Sequence, residues 1–218
     1  MTVDCLTGPV LWVEGIIGGG KSTIAEKLAG LLNFRPFHEP VEPDHLEAFY
    51  KDPKGKAFEF QIRQLVRRAN IHQLAFWEAN NPGQFRGAVL DRGLPGDRVF
   101  CKMHLQKGNI TELQWNTYEL AFNRFMMPIR PPALLMFLDV DPTVALERVK
   151  NRNRGAESGM NLEYLSDLRK GYLDLISEIE SRNHQWSNGI HVWKVAWNQD
   201  HQQVGPIAEE LKHRLRLN

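Results

Sequence analysis

Five short stretches of the chain have the pattern of strands, and three of them are apolar runs. The longest of them, residues 133–140, is uninterrupted by charge until Asp139. A continuous apolar run of this length is typical of a parallel strand that is covered on both faces. The predicted strands occupy 10–13, 34–39, 87–90, 133–140 and 190–195.

Between these runs, apolar residues recur every three or four positions, which places them on one face of a helix. The predicted helices occupy 22–32, 44–80 with a break near 52–55, a segment that follows a turn at 94–97, 111–127, a segment starting at Pro142, a segment from about 162, and 203–216. Strands that alternate with helices predict an α/β fold, a doubly wound five-stranded parallel sheet with flanking helices.

Composition narrows the class of protein. The chain has 218 residues, 42% of them hydrophobic and 24% charged, which predicts one globular domain over 1–218. A net charge of +1 argues against nucleic acid or a membrane as a general partner. Two cysteines argue against a disulfide framework, and no apolar run approaches the ~20 residues of a membrane span. We therefore expect a cytoplasmic protein.

The stretch between the first strand and the first helix fits the phosphate-binding pattern G-x-x-x-x-G-K-[ST]. It consists of Gly15, Ile16, Ile17, Gly18, Gly19, Gly20, Lys21, Ser22 and Thr23. Glycines let the backbone approach a ligand closely, and the N–H groups at the start of the helix favour negative charge. We expect Lys21 to reach the outer phosphates of ATP and the Ser22 hydroxyl to bind Mg²⁺.

Charged residues lie at the carboxyl ends of two further predicted strands, at the edge where α/β folds bind ligands. Glu39 ends the second strand, where it could accept a proton from a hydroxyl that attacks the γ-phosphate. Asp91 and Arg92 follow the third, where they could hold a metal or water and neutralise transition-state charge. The alternatives are a loop acid for Glu39 and a surface ion pair for Asp91 and Arg92.

Polar residues also form a row on the long predicted helix. Gln61, Arg68 and His72 are separated by seven and four positions, so they project from a similar face. Such a row is either a solvated face or the lining of a pocket that reads a base edge.

A basic cluster follows the helix that starts at Pro142. It contains Arg148, Lys150, Arg152 and Arg154 and precedes the segment 155–159, which begins and ends with glycine. This pattern predicts a mobile lid over about 148–160, whose arginines neutralise a transferring phosphoryl group. The alternative is an ordinary basic helix end, which the helix dipole favours.

Taken together, these segments resemble the deoxynucleoside kinase family over nearly the whole chain. The matching pieces are the phosphate loop, 39–41, 50–53, 60–61, 91–92, the arginines of the predicted lid, and Glu157 followed by 162–165. The eleven-residue step from Tyr50 to Gln61 also fits the family. The resemblance implies a P-loop kinase fold with a short arginine lid.

The resemblance implies an ATP- and Mg²⁺-dependent kinase that phosphorylates the 5′-hydroxyl of a deoxynucleoside. Glu39 would be the general base for that hydroxyl, while Tyr50 and Glu157 would hold the 3′-hydroxyl. Gln61 would read the base edge, and Phe60 would pack on the face of the base.

Further roles are implied for the phosphate side of the site. Arg92 would lie near the 5′-hydroxyl and the transferring phosphate, and Asp91 near Mg²⁺. The implied lid arginines are Arg148, Arg152 and Arg154. Arg68 and Asp97 match the pair found in members that prefer purines or deoxycytidine, and the family suggests a homodimer through the helices around 111–127 and 161–180.

Three residues depart from the family pattern near the expected base pocket, and they leave base specificity open. Gly93 replaces the usual Ser, Gly96 lies in an unusual Leu-Pro-Gly stretch, and Cys101 stands where a stacking aromatic is expected. A nucleoside monophosphate kinase is the nearest alternative, but 37–43 contains no arginine to compensate the charge of a monophosphate. A slow ATP-hydrolysing switch protein and a kinase for another hydroxylated metabolite are further alternatives.

Overall fold

A five-stranded parallel sheet forms the centre of the computed structural model, which describes residues 8–38, 42–81, 83–152, 160–198 and 204–217. Its strands are β1 (Val10–Gly15), β2 (Arg35–Phe37), β3 (Ala88–Asp91), β4 (Leu134–Asp139) and β5 (Val192–Ala196). Their spatial order is β2-β3-β1-β4-β5, and all neighbours are parallel. The prediction of an α/β fold with a five-stranded parallel sheet is confirmed.

Helices connect the strands and cover both faces of the sheet. They are α1 (Lys21–Leu32), α2 (Pro43–Lys51), α3 (Pro53–Asn80), α4 (Leu94–Gln106), α5 (Glu112–Met126), α6 (Pro142–Arg152), α7 (Leu162–Ser181) and α8 (Val204–Leu215), with a short 3-10 helix at Gln185–Ser187. The break near 52–55 is confirmed: Asp52 ends α2 and caps α3 by accepting a hydrogen bond from the backbone N–H of Gly55 at 3.0 Å. Within the described residues, no helix is long and apolar enough to cross a bilayer.

Two predicted boundaries are wrong. Strand β2 ends at Phe37 rather than at 39, because it is an edge strand that pairs only with Ala88–Leu90 of β3. Helix α4 starts at Leu94 with no preceding turn through 94–97. Pro95 is tolerated in the first turn of a helix, where its missing N–H would have had no intrahelical partner.

The central strand β1 aligns the two predicted phosphate-side segments. Its residues are all buried, and Val13 lies opposite Asp91 of β3 while Gly15 lies opposite Leu138 of β4. The phosphate loop and the Asp91–Arg92 pair therefore leave the sheet side by side at its carboxyl edge.

Helix α4 is fixed to its neighbours by one arginine. Arg98 forms ion pairs with Glu119 of α5 at 2.7 Å and Glu178 of α7 at 2.6 Å. Since Arg98 is buried and the two glutamates are half-buried, this bridge is screened less than a surface pair. It holds α4, which carries Gly96 and Asp97, against α5 and α7.

Candidate active site

The phosphate loop has the backbone that its glycines permit. Gly18 and Gly20 have φ values of 76° and 82°, in the left-handed region. A Cβ on Gly18 would overlap the carbonyl oxygen of Ala145 in α6. Helix α1 begins directly after Gly20, so its first N–H groups open toward the loop and favour an anion there.

Lys21 is buried at the start of α1, and its Nζ donates to the carbonyl of Ile16 at 2.9 Å. The ammonium group is thereby held beside the backbone of the phosphate loop itself. A buried cation next to a ring of N–H groups is suited to the outer phosphates of a nucleotide.

Asp91 and Ser22 meet at the mouth of the loop. The Ser22 hydroxyl donates to Oδ2 of Asp91, while the buried Oδ1 has no hydrogen-bond partner among the described residues. A hydroxyl beside a carboxylate oxygen is a donor set that fits Mg²⁺. The described part of the chain holds no cluster of three or more His, Cys, Asp or Glu side chains that could bind a metal.

Arg92 adopts a left-handed backbone with φ of 79°, which is uncommon for a residue with a side chain. Its Nη1 donates to the Tyr172 hydroxyl and, at 3.4 Å, to the carbonyl of Gly15. Asp91 and Arg92 are only 4% and 2% exposed, so the alternative of a surface ion pair is wrong.

Glu14 is a further residue of the candidate site, and no motif in the sequence indicates it. It lies on β1 just before the phosphate loop and is fully buried, with the backbone N–H of Gly93 donating to its Oε1 at 2.7 Å. Burial raises the pKa of this carboxyl group, against the opposing effects of Arg92, Arg68, Lys21 and the Tyr172 hydroxyl. The signal in the sequence was a single acid that interrupts an otherwise apolar strand.

Two of the glycines that depart from the family pattern pack against Glu14. A Cβ on Gly96 would lie 2.6 Å from both carboxylate oxygens of Glu14, and one on Gly93 would lie 3.1 Å from Oε1. The structure thus gives these glycines a role in accommodating a buried acid. Cys101 is completely buried in α4 as a free thiol.

The polar row on α3 is buried, so its interpretation as a solvated face is wrong. Gln61, Arg68 and His72 are each at most a few per cent exposed. Nε of Arg68 donates to Oδ2 of Asp97 at 2.6 Å, which confirms that these two residues pair. Buried charged and polar side chains on α3 and α4 are suited to recognise the polar edge of a ligand.

An aromatic cluster forms where α2 meets α3. Phe60 stacks on Phe49 with ring centroids 4.8 Å apart, and the ring centroids of Tyr50 and Phe49 are 5.2 Å apart. The structure therefore brings Tyr50 and Phe60 together, and one face of the Phe60 ring is occupied by Phe49.

The predicted lid is only partly described. Arg148 lies within α6, and its guanidinium donates to the carbonyl of Trp197 at 3.3 Å. Arg152 is the last residue of α6 and is exposed. Arg154 and Glu157, like Glu39, lie outside the described residues, and their roles stay predictions.

His72 makes stability sensitive to acid. Its ring packs edge-on against Trp12 with centroids 4.8 Å apart, and burial, followed by the charge of Arg68, lowers its pKa to about 3. Unfolded histidine takes up a proton near pH 6.5, whereas the folded protein resists it down to about 3. The stability associated with neutral His72 is therefore complete above pH 6.5 and is lost progressively as the pH falls toward 3.

We expect His72→Gln to reduce this sensitivity. Between pH 7 and pH 5 the free energy of unfolding should fall by about 2 kcal/mol less in the variant than in the wild type. Urea unfolding at both pH values measures the difference, with His213→Gln on the exposed face of α8 as the matched control. Equal losses in His72→Gln and the wild type would show that folded His72 accepts a proton readily.

Comparison with known proteins gives these features a context. The family model "Deoxynucleoside kinase" matches residues 11–212. A deoxyadenosine kinase of Dictyostelium discoideum is 36% identical over 195 residues, covering 89% of this chain and 74% of the relative. A deoxyguanosine kinase of the same organism is 32% identical over 192 residues, covering 87% of this chain and 64% of the relative.

A solved structure agrees with the sequence relatives. The deoxyadenosine kinase of M. mycoides with bound dCTP superposes with a TM-score of 0.79 at 26% sequence identity, covering 94% of this chain and 99% of that one. The family match spans nearly all of the sheet and the helices that carry the site. The chain therefore belongs to the deoxynucleoside kinase family and is a P-loop kinase.

Proposed function

We propose that this kinase transfers the γ-phosphoryl group of ATP to the 5′-hydroxyl of a deoxynucleoside, with purine deoxynucleosides, deoxycytidine or both as acceptors. The observation that carries the proposal is the buried Arg68–Asp97 pair, which offers a fixed guanidinium for base acceptors. The names of the relatives, deoxyadenosine and deoxyguanosine kinases, support the same acceptor class.

The reaction is an in-line displacement that depends on positioning and charge neutralisation. The Glu39 carboxylate accepts the 5′-hydroxyl proton as the oxygen bonds to the γ-phosphorus and the bond to the β,γ-bridging oxygen breaks. Lys21 and the loop N–H groups hold the phosphates, and Arg92 lies against the start of that loop. Mg²⁺ held beside Ser22 and Asp91 would supply charge neutralisation on the phosphate oxygens.

The remaining proposed roles concern the nucleoside and the lid. Tyr50 and Glu157 hold the 3′-hydroxyl, Gln61 reads the base edge, and Phe60 packs on the base with the ring face that Phe49 leaves open. The lid arginines Arg148, Arg152 and Arg154 close over the phosphates.

A coupled assay of ADP release tests the proposal. The acceptors are the four deoxynucleosides, their monophosphates, and none. We expect turnover with purine deoxynucleosides, with deoxycytidine or with both, and none with the monophosphates or without acceptor. Turnover confined to monophosphates would instead indicate a nucleoside monophosphate kinase, and an equal rate without acceptor would indicate an ATPase.

The proposed metal site makes a separate prediction. We expect Asp91→Asn to raise the Mg²⁺ concentration for half-maximal activity at least about 10-fold, because the carboxylate beside Ser22 loses its charge. A Mg²⁺ titration of the initial rate measures this. Asp167→Asn is the control. It neutralises a surface acid of α7 that pairs with Lys107, the residue directly after α4. An unchanged requirement in Asp91→Asn would remove Asp91 from the metal site.

We also propose that the chain is one domain, forms a homodimer through α5 and α7, and works in the cytoplasm without a nucleic acid or membrane partner. Leu113 and Leu120 of α5 are 77% and 74% exposed, which supports a partner on that helix. The buried free thiol of Cys101 is compatible with a reducing compartment.

A further inference from the structure

Glu14 joins three separate segments of the chain at the end of β1. Its Oε1 accepts from the backbone N–H of Gly93 at 2.7 Å, and its Oε2 accepts from the Tyr172 hydroxyl of α7 at 3.0 Å. Oε2 also lies 3.8 Å from Nη1 of Arg92. All of these side chains are almost completely buried.

Arg92 is held by this arrangement at both ends. Its backbone N–H donates to the carbonyl of Val13 at 2.9 Å, and the next residue donates to Glu14. Its Nη1 donates to the Tyr172 hydroxyl, which in turn donates to Glu14. Hydrogen bonds thus connect the Arg92 guanidinium through the Tyr172 hydroxyl to the Glu14 carboxylate.

The aromatic ring of Tyr172 is itself held in place by packing, which fixes the hydrogen bonds among Glu14, Tyr172 and Arg92. It stacks against Phe137 of β4 with ring centroids 5.8 Å apart. The Cζ atom of Arg92 lies 4.7 Å from the centroid of the Phe100 ring of α4. Phenol and guanidinium groups packed in this way have few alternative rotamers. The guanidinium is therefore fixed with one nitrogen 3.4 Å from the carbonyl of Gly15, the first residue of the phosphate loop.

We propose that Glu14 and Tyr172 are positioning residues that hold the Arg92 guanidinium against the phosphate loop. The proposal rests on the proposed function, which gives Arg92 its task of neutralising the transferring phosphoryl group. Glu14 and Tyr172 act through Arg92, by fixing where its charge stands before the reaction begins.

Fixed charge matters most for the chemical step. Charge that develops in a transition state is stabilised best by groups that are oriented in advance. Loosening Arg92 should therefore lower kcat and leave the substrate KM values nearly unchanged. A purely structural role for Glu14 and Tyr172, in which they only balance a buried charge, would change the unfolding midpoint and leave kcat unchanged.

Tyr172→Phe is the less disruptive variant, because it removes the hydroxyl that links Arg92 to Glu14 and keeps the aromatic ring. We expect kcat to fall about 10-fold, with the KM for ATP and for deoxynucleoside within about 3-fold of wild type. Tyr118→Phe is the matched control: Tyr118 is equally buried, and its hydroxyl has no hydrogen-bond partner within the described part of the chain. Equal kcat values for Tyr172→Phe and Tyr118→Phe would overturn the proposal.

A double-mutant cycle tests whether Glu14 acts through Arg92. Glu14→Gln keeps the size of the side chain and should lower kcat about 10-fold in the wild-type background. In an Arg92→Met background the same change should have almost no further effect, because the group it positions is absent. A full 10-fold loss in both backgrounds would show that Glu14 acts independently of Arg92.

A crystal structure of Tyr172→Phe separates this proposal from the proposed function. If the wild type phosphorylated no deoxynucleoside, the proposed function would fail, but the position of Arg92 could still be compared. We expect its guanidinium to leave the carbonyl of Gly15 in the variant. An Arg92 that kept its place without the Tyr172 hydroxyl would overturn the positioning role.

Discussion

Replacing Glu39 by glutamine should lower kcat at least about 100-fold, the usual scale for a lost general base. The amide keeps the size of the side chain but cannot accept the proton of the 5′-hydroxyl. Initial rates at saturating ATP and deoxynucleoside measure the change. The KM for deoxynucleoside should move much less than kcat, because the proton transfer belongs to the chemical step.

A matched control lies three residues further along the chain. Glu42 forms an ion pair with Arg63 at 2.5 Å and also contacts Arg67, so it is a neighbouring acid with structural partners of its own. We expect Glu42→Gln to retain kcat within about 2-fold. Near-wild-type turnover in Glu39→Gln would remove Glu39 from its proposed role and would call for another base.

The second large effect concerns the stability of the fold. Asp97→Ala should lower the free energy of unfolding by about 3 to 5 kcal/mol, because it leaves the buried Arg68 guanidinium without its carboxylate partner. Urea unfolding monitored by tryptophan fluorescence measures the loss. A loss below about 1 kcal/mol would show that water or another group takes over the role of Asp97.

A double substitution separates the structural and the recognition roles of the same pair. Arg68→Met combined with Asp97→Leu replaces two buried charges by apolar side chains, which often restores stability or even raises it. We expect this variant to unfold near the wild-type midpoint and yet to lose phosphorylation of purine deoxynucleosides. Retained activity would show that the pair serves only the fold.

The sheet could be predicted from sequence because its central strands are covered on both faces. Every residue of β1 and β3 is buried, and burial of this kind requires the apolar runs that the sequence shows. The edge strand β2 lacks that constraint, so its sequence predicts an end two residues too late. The sequence also predicts too late a start for helix α4, because Pro95 and Gly96 are typical turn residues and only the packing around Glu14 shows why they belong to a helix.

The site was predictable where it depended on strand order and not where it depended on distant partners. Ser22 and Asp91 meet because Asp91 ends β3 and the loop before Ser22 leaves the adjacent parallel strand β1, and such ends lie at one edge of a sheet. Glu14 is bound by Gly93 and Tyr172, which are 79 and 158 residues away along the chain. No local pattern indicates that a lone acid in a strand has such partners.

The close packing of Gly18 on Ala145 has a mechanical consequence. Because the loop backbone rests directly on the backbone of α6 at Ala145, any side chain at position 18 would push the helix away from the loop. Arg152 lies seven residues further on, about 10 Å along the helix axis. The missing side chain of Gly18 therefore sets the distance between the phosphate loop and the helix that carries Arg148 and Arg152.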